Sequence, residues 1–388
     1  RFRTALATAQ IALSMALLVA AGLFIRSLTN INRIDLGLNT ENLATFSISP
    51  ELNGYAPERS RALFERLEDE LAAIPGVTSV SAAMVPLLAG SNWGSDVSVE
   101  GYKPLPDQGA HGRFNSIGPG YFRTTGTPLI AGREFTRADA LTTPKVAVVN
   151  EEFARRYNLG REAVGKRMGV GGSELDIEII GLVRNAKYSE VRNEALPLFF
   201  RPYRQDAEVG ELTFYVRSGT EPSRVLAAIP KVVARLDPNL PVERLMTLEE
   251  QARQSVFLER FMGVLSASFA VLATLLAAVG LYGMLAYSVT QRTREIGLRM
   301  ALGAAPATLR GMVLRQVAWM TAIGGAIGLM VGLVVGRAAR SLLYELEGYD
   351  PAVLAASAIG LVLVALAAGI IPARRAAAVD PLTALHFE

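Results

Sequence analysis

Four stretches of the chain carry no charged side chain: Ala5–Ile25, Phe261–Val289, Gln316–Gly336 and Ala352–Ile371. Each is long enough to cross a bilayer, which takes roughly 20 predominantly apolar residues. In the last, AVLAASAIGLVLVALAAGII, Ser357 is the sole polar side chain. One such run could be a buried core helix; four in one chain predict four membrane-spanning helices. Between the first and second runs the pattern becomes that of a globular protein. LATFSISPEL reads as a strand. APERSRALFERLEDELAAIPGV reads as a helix, because Pro57 suits its first turn and Leu63, Leu67, Leu71 and Ile74 recur at helical spacing. VTSVSAAM is a second strand. The same order returns downstream in ELTFYVRSG, EPSRVLAAIPKVVARLD and LPVERLMTLEE. Two βαβ units at the two ends predict one layer split by an insertion. The insertion is rich in glycine and in short strand-like runs such as KVAVVN and LDIEIIGLV, and it reads as a mostly-β subdomain.

The expected fold class is an α-helical membrane protein with four transmembrane helices plus a large external α+β domain. The first helix is expected at 1–28 and the external domain at 29–255. Within that domain, 29–90 and 205–255 form the βαβ layer and 91–204 the inserted subdomain. Helices two, three and four are expected at 256–290, 310–338 and 351–372. Segment 291–309 links the second to the third, 339–350 is a short outer loop and 373–388 a tail. Lys and Arg in short flanks set the orientation. Arg1 and Arg3, then Arg292, Arg294, Arg299 and Arg310, then Arg374 and Arg375 all fall on one side if both termini are cytoplasmic.

Composition narrows the function. A net charge of +3 with no basic–aromatic stripe gives no case for a nucleic-acid partner. The absence of cysteine excludes disulfides, thiolate metal sites and Cys nucleophiles. The first apolar run is too long for a signal-peptide core and ends in AGLFIRSL without a small-residue cleavage site. The chain begins at Arg1 rather than Met, and we expect it to be a fragment or a processed piece. GREAVGKR, Gly160–Arg167, imitates a phosphate loop, but Arg167 stands where a Mg²⁺-binding hydroxyl is required. It reads as a loop of tight glycine turns. The two histidines, His111 and His386, lie far apart, and no catalytic or metal-binding motif accompanies them. No enzyme activity, metal or cofactor of the chain's own is expected. No Asp, Glu, Lys, Arg or His lies inside the uncharged runs, which argues against an ion-coupled carrier.

Two features remain. Gly324, Gly328, Gly332 and Gly336 recur every fourth residue and predict a face for close helix packing; Ala12, Ala16 and Ala20 are a weaker version. The other is REIGLRMALGAAPATLR, a cationic stretch clipped between two apolar runs. Arg292, Glu295 and Arg299 share one helical face, and Leu298, Ala301, Leu302 and Ala305 form an apolar one. Gly303 reads as a C-cap and Pro306 as the start of the next helix. A short amphipathic helix results, which either lies on lipid headgroups or is presented to a soluble partner.

QRTREIGLRMALGA resembles the cytoplasmic segment of MacB/FtsX-type permeases of bacterial ABC systems. LLYELEGYDP, IPARRAAAVDPLTAL, GPGYFRTTGTPLIAGREFT, VAVVNEEFARRY and GKRM are similar to that family too. The opening ALATAQIALSMALLVAAGLFIRSL is most like the C-terminal half of its duplicated members. The resemblance implies a multi-pass protein of the bacterial inner membrane, N-in and C-in, with residues of about 29–255 periplasmic. It implies a dimer, formed with a second permease subunit or with a missing N-terminal half. It implies a separate cytoplasmic ABC ATPase, which binds the ATP and docks on Arg294, Glu295, Ile296, Gly297, Leu298, Arg299, Ala301, Leu302 and Gly303. Motion of the periplasmic domain would then do the work, which is mechanotransmission. Export of a drug, peptide or toxin is the expected task, with a periplasmic adaptor and membrane lipid as further partners. The alternatives are a signalling or scaffold protein that activates a cell-wall hydrolase, and a lipoprotein-release permease.

Overall fold

A computed structural model describes residues 2–31, 33–103, 109–172, 174–192, 195–291, 306–344, 346 and 348–377. The chain forms two compact units: Arg1–Arg33 with Phe257–Glu388, and Ile34–Val256. Helix α1, Phe2–Ile31, opens the first of them.

Every strand among the described residues lies in the second unit. Strand β1 (Leu43–Ile48), helix α2 (Pro57–Ala72) and strand β2 (Val77–Ala83) form one βαβ unit. Its counterpart comes after the insertion; by chain order its elements are β10 (Leu212–Ser218), α5 (Pro222–Leu236) and β11 (Glu243–Thr247). The two interleave. β10 runs antiparallel to both β1 and β2, and β11 antiparallel to β1, so the order is β11-β1-β10-β2. Each crossover helix lays its apolar stripe on this layer: Leu63, Leu67 and Leu71 from α2, Val225, Ile229 and Val232 from α5, all buried. Phe46 and Phe214 stack between them with ring centroids 5.4 Å apart. After β11, Thr247 caps helix α6 (Leu248–Ser255) by accepting the Glu250 N–H at 3.1 Å.

The inserted segment adds β3 (Trp93–Val99), β4 (His111–Ile117), α3 (Tyr121–Thr125), β5 (Leu129–Gly132), β6 (Val146–Asn150), α4 (Glu151–Arg156), β7 (Arg167–Val170), β8 (Ile177–Val183) and β9 (Leu198–Pro202). Following the pairings from β4 through β3, β7, β8, β6 and β9 leads back to β4, so six strands close on themselves. Closure removes free strand edges. Val149, Met168, Ile179 and Phe199 fill the interior with Phe153 and Tyr157 from and beside α4. Gly112 leaves room there, since a Cβ on it would lie 3.3 Å from Phe153 and Phe199.

The sequence separates an inserted subdomain from a layer; the eleven strands nevertheless belong to one sheet. The two parts meet at a single pair, Ala83↔Ile117, and each keeps its own core. The joint is polar. Asn115, fully buried, accepts the Val85 N–H at 2.9 Å and donates to the Val85 carbonyl at 2.8 Å, standing in for a strand partner. Arg204, just past β9, reaches back to α2 with Nη1 2.6 Å from Glu65 and Nη2 2.8 Å from Glu68. The Tyr203 hydroxyl donates to the other Glu68 oxygen at 2.8 Å.

In the first unit the described helices after α6 are α7 (Phe257–Gln291), α8 (Pro306–Ala338) and α9 (Pro351–Ala377). With α1 these are four helices long and apolar enough to span a membrane.

Burial raises the Glu68 carboxyl above the usual range, against the opposing pull of Arg204 and the Tyr203 hydroxyl. A carboxyl raised in the folded state stabilises at low pH and loses that contribution as pH climbs through its titration. Arg204→Met keeps the volume and strands Glu68 without its cation, an expected cost of about 3–5 kcal/mol when the carboxyl must be charged. Thermal unfolding of the variant should therefore show a small loss at about pH 5 and a large one at about pH 8. Equal losses at both would mean that Glu68 does not depend on Arg204 for its charge.

Candidate functional site

The site that the sequence points to is the membrane bundle with the segment linking its second and third helices. Arg294, Glu295, Ile296, Gly297, Leu298, Arg299, Ala301, Leu302 and Gly303 lie outside the described residues. The described chain stops at Gln291, the end of α7, and resumes at Pro306, the first residue of α8.

α1 is the hub of the bundle and packs on α7, α8 and α9. The glycines of α8 face it. A Cβ on Gly324 would lie 2.8 Å from Ile11 Cγ2, one on Gly328 2.5 Å from Met15 Cβ, one on Gly332 3.0 Å from Val19 Cβ and one on Gly336 2.9 Å from Leu23 Cδ1. Ile11, Met15, Val19 and Leu23 recur every fourth residue and are at most 2 % exposed. They form a ridge that lies in the glycine groove, with backbones close enough for direct contact. The alanines Ala12, Ala16 and Ala20 flank this ridge rather than form it. Nothing in the residue pattern marks the ridge, because α1 is apolar on nearly every side.

Polar side chains tie the bundle at other levels. The Ser14 hydroxyl donates to the Ala273 carbonyl of α7 at 2.8 Å, and Gln10 lies against Gly280 of the same helix. At the C-terminal end of α1, Ser27 accepts the Tyr344 N–H at 2.8 Å. Asp350 caps α9 by accepting the N–H groups of Ala352 at 2.8 Å and Val353 at 3.0 Å, and it faces Arg26 at 3.5 Å. Gly348, in the left-handed region at φ +84°, comes close against Gly336; a Cβ on it would lie 2.7 Å from the Gly336 carbonyl oxygen.

The remaining candidates stand apart from the bundle. GREAVGKR follows helix α4 through a short turn and runs into strand β7, the reverse of the strand-then-helix order that cradles phosphate. Lys166 lies 3.8 Å from Glu100, and the Arg167 N–H donates to the same carboxylate at 2.9 Å. His111 is an exposed residue 3.3 Å from Asp96; His386 lies outside the described residues. Among the described residues no three His, Cys, Asp or Glu side chains gather as a metal site would require.

Two family models match the chain. One, the MacB-like periplasmic core domain, covers residues 4–232; the other, the FtsX-like permease C-terminal region, covers 267–381. The chain is 25% identical over 287 residues to the uncharacterized ABC transporter permease YknZ of Bacillus subtilis, covering 71% of this chain and 70% of that one. It is 26% identical over 289 residues to the probable export ATP-binding/permease protein MacB of Pseudomonas entomophila, covering 70% of this chain and 42% of that one. It thus spans less than half the length of that relative. Among solved structures, the periplasmic region of MacB from Actinobacillus actinomycetemcomitans aligns with a TM-score of 0.38 and 16% identity, over 59% of this chain and 97% of that one.

Replacing Gly328 and Gly332 together by Leu forces side chains into a contact that has no space for them. Overpacking costs about 1–3 kcal/mol per site where the neighbours cannot move. The double variant should melt at lower temperature in detergent, and a cysteine pair placed across α1 and α8 should crosslink less. Unchanged melting and crosslinking would show that the glycine face bears no packing load.

Proposed function

Because the chain belongs to the permease family that joins a MacB-like periplasmic core domain to an FtsX-like C-terminal region, we propose that a separate cytoplasmic ABC ATPase drives it to move its external domain. The observation that carries this reading is where charge is absent. The four spans contain no Asp, Glu, Lys, Arg or His over Ala5–Ile25, Phe261–Val289, Gln316–Gly336 and Ala352–Ile371. A route for ions or charged cargo through the bilayer uses such groups. Polar cargo is then handled outside the bilayer, and force enters through Arg294–Gly303, which joins two spans directly. A segment held at both ends passes a push into α7 and α8. ATP is bound by the partner, and a second permease subunit or half completes the assembly. We place the protein in a bacterial inner membrane with both termini cytoplasmic, on the strength of its Arg distribution. Export of a drug, peptide or toxin, working with a periplasmic adaptor, is the task we favour; the word "export" in the relative's name supports it.

Cysteines introduced separately at Ser173 and Ser288 report the topology. An impermeant thiol reagent on intact cells should label the first and spare the second. The opposite labelling would overturn the orientation.

Glu295→Lys tests the docking segment. Within a helix the change turns the Glu295–Arg299 pair into a repulsion of about 0.2–0.5 kcal/mol, too little to prevent folding. On anionic lipid the added charge would gain about 1 kcal/mol. On an ATPase it should reduce both co-purification and stimulated ATP turnover. Normal association and turnover in a correctly inserted variant would make the segment a lipid anchor.

A further inference from the structure

We propose that the external unit binds an extended acidic peptide, added as a strand to the open edge of β2 in the cleft beneath α3. The cleft holds about 680 Å³. One wall is β2. That strand pairs with β10 from Val77 to Ala83. On its other side it meets β4 at Ala83↔Ile117, flanked by bonds from Met84 N–H to the Ser116 carbonyl at 2.9 Å and from Gly118 N–H to the Ala82 carbonyl at 2.7 Å. There the ladder stops. Pro119 has no N–H to continue it, and Gly120, at φ +65°, turns the chain into α3.

In an antiparallel ladder alternate residues turn their N–H and C=O groups to opposite sides. Ala82 faces β4, so Val80 faces the same way, into the cleft it lines. Among the described residues its N–H and C=O on that side meet no backbone or side-chain partner. An unpaired edge inside a cleft is the geometry of β-strand addition. The β-bulge near Thr78, between Arg217 and Ser218 on the partner strand, marks the far end of this edge.

The opposite wall carries three arginines, two of which are already paired. Arg133 forks onto Asp139 with two bonds of 2.8 Å, and the Thr136 N–H donates to the same carboxylate at 2.8 Å. Arg137 pairs with Asp69 of α2. Arg123, also lining the cleft and exposed, makes no ion pair among the described residues. The two acidic side chains in the lining are already engaged: Glu68 by Arg204 and Tyr203, Glu134 by the Arg123 backbone N–H at 3.4 Å. The unused groups are therefore one strand edge and one guanidinium. An extended segment carrying a carboxylate satisfies both. This site does not depend on how the membrane helices are driven.

The test uses the full chain in detergent and a fluorescent peptide of alternating Glu and Val, read by anisotropy. Two control peptides replace every Glu by Lys or methylate alternate backbone nitrogens. The acidic peptide should bind, and each control should bind about tenfold more weakly or worse, since a lost charge pair or backbone bond is worth about that factor. Arg123→Glu, an exposed change that should leave the melting temperature intact, should weaken the acidic peptide about tenfold and favour the Lys peptide. Absence of binding would overturn the proposal. So would binding indifferent to backbone methylation, which would leave the β2 edge unused, or binding indifferent to Arg123→Glu.

Discussion

Apolar surface gains nothing by turning away from lipid, so membrane helices cannot be held together by the force that folds a soluble domain. What remains is close van der Waals contact, and in this chain it is made where the Ile11–Met15–Val19–Leu23 ridge of α1 lies in the glycine groove of α8. The other ties also start from α1, which packs on all three of its neighbours: Ser14 donates to the Ala273 carbonyl and Ser27 accepts the Tyr344 N–H. Charge is held at the helix ends, where Asp350 both caps α9 and faces Arg26.

The external unit obeys the opposite rule. Its strands bury two apolar cores, one under α2 and α5 and one inside the closed ring of six strands. Both cores exclude water, which leaves the polar chemistry to the place where they meet. There Asn115 imitates a strand partner and Arg204 neutralises a buried carboxylate. A joint made of buried hydrogen bonds and one ion pair is specific in geometry, because each of its groups costs more unpaired than it contributes paired. Among the described residues, the two parts it joins share one pair between strands.

The uncharged runs Ala5–Ile25, Phe261–Val289, Gln316–Gly336 and Ala352–Ile371 keep Asp, Glu, Lys, Arg and His out of the middle of each span, while the second unit carries a cleft and an open strand edge. α6 ends at Ser255 and α7 starts at Phe257, with Val256 between them in the chain.

The residue pattern by itself determined the number of spans, the place of the external domain between the first and second, and the two βαβ units. These follow from runs and periods that are local in the chain. It also marked the glycine face of α8, since spacing along one helix is local too. The ridge on α1 that fills that face was not legible, because a helix apolar all round carries no signal of which side meets a neighbour. Nor was the closure of β4, β3, β7, β8, β6 and β9 into a ring, which depends on pairings between distant strands, two of them parallel. The partnership of Glu68 with Arg204 and the open edge at Val80 were likewise settled only in three dimensions. A buried charge finds its partner, and a strand loses one, through chain segments that have no fixed separation in the sequence.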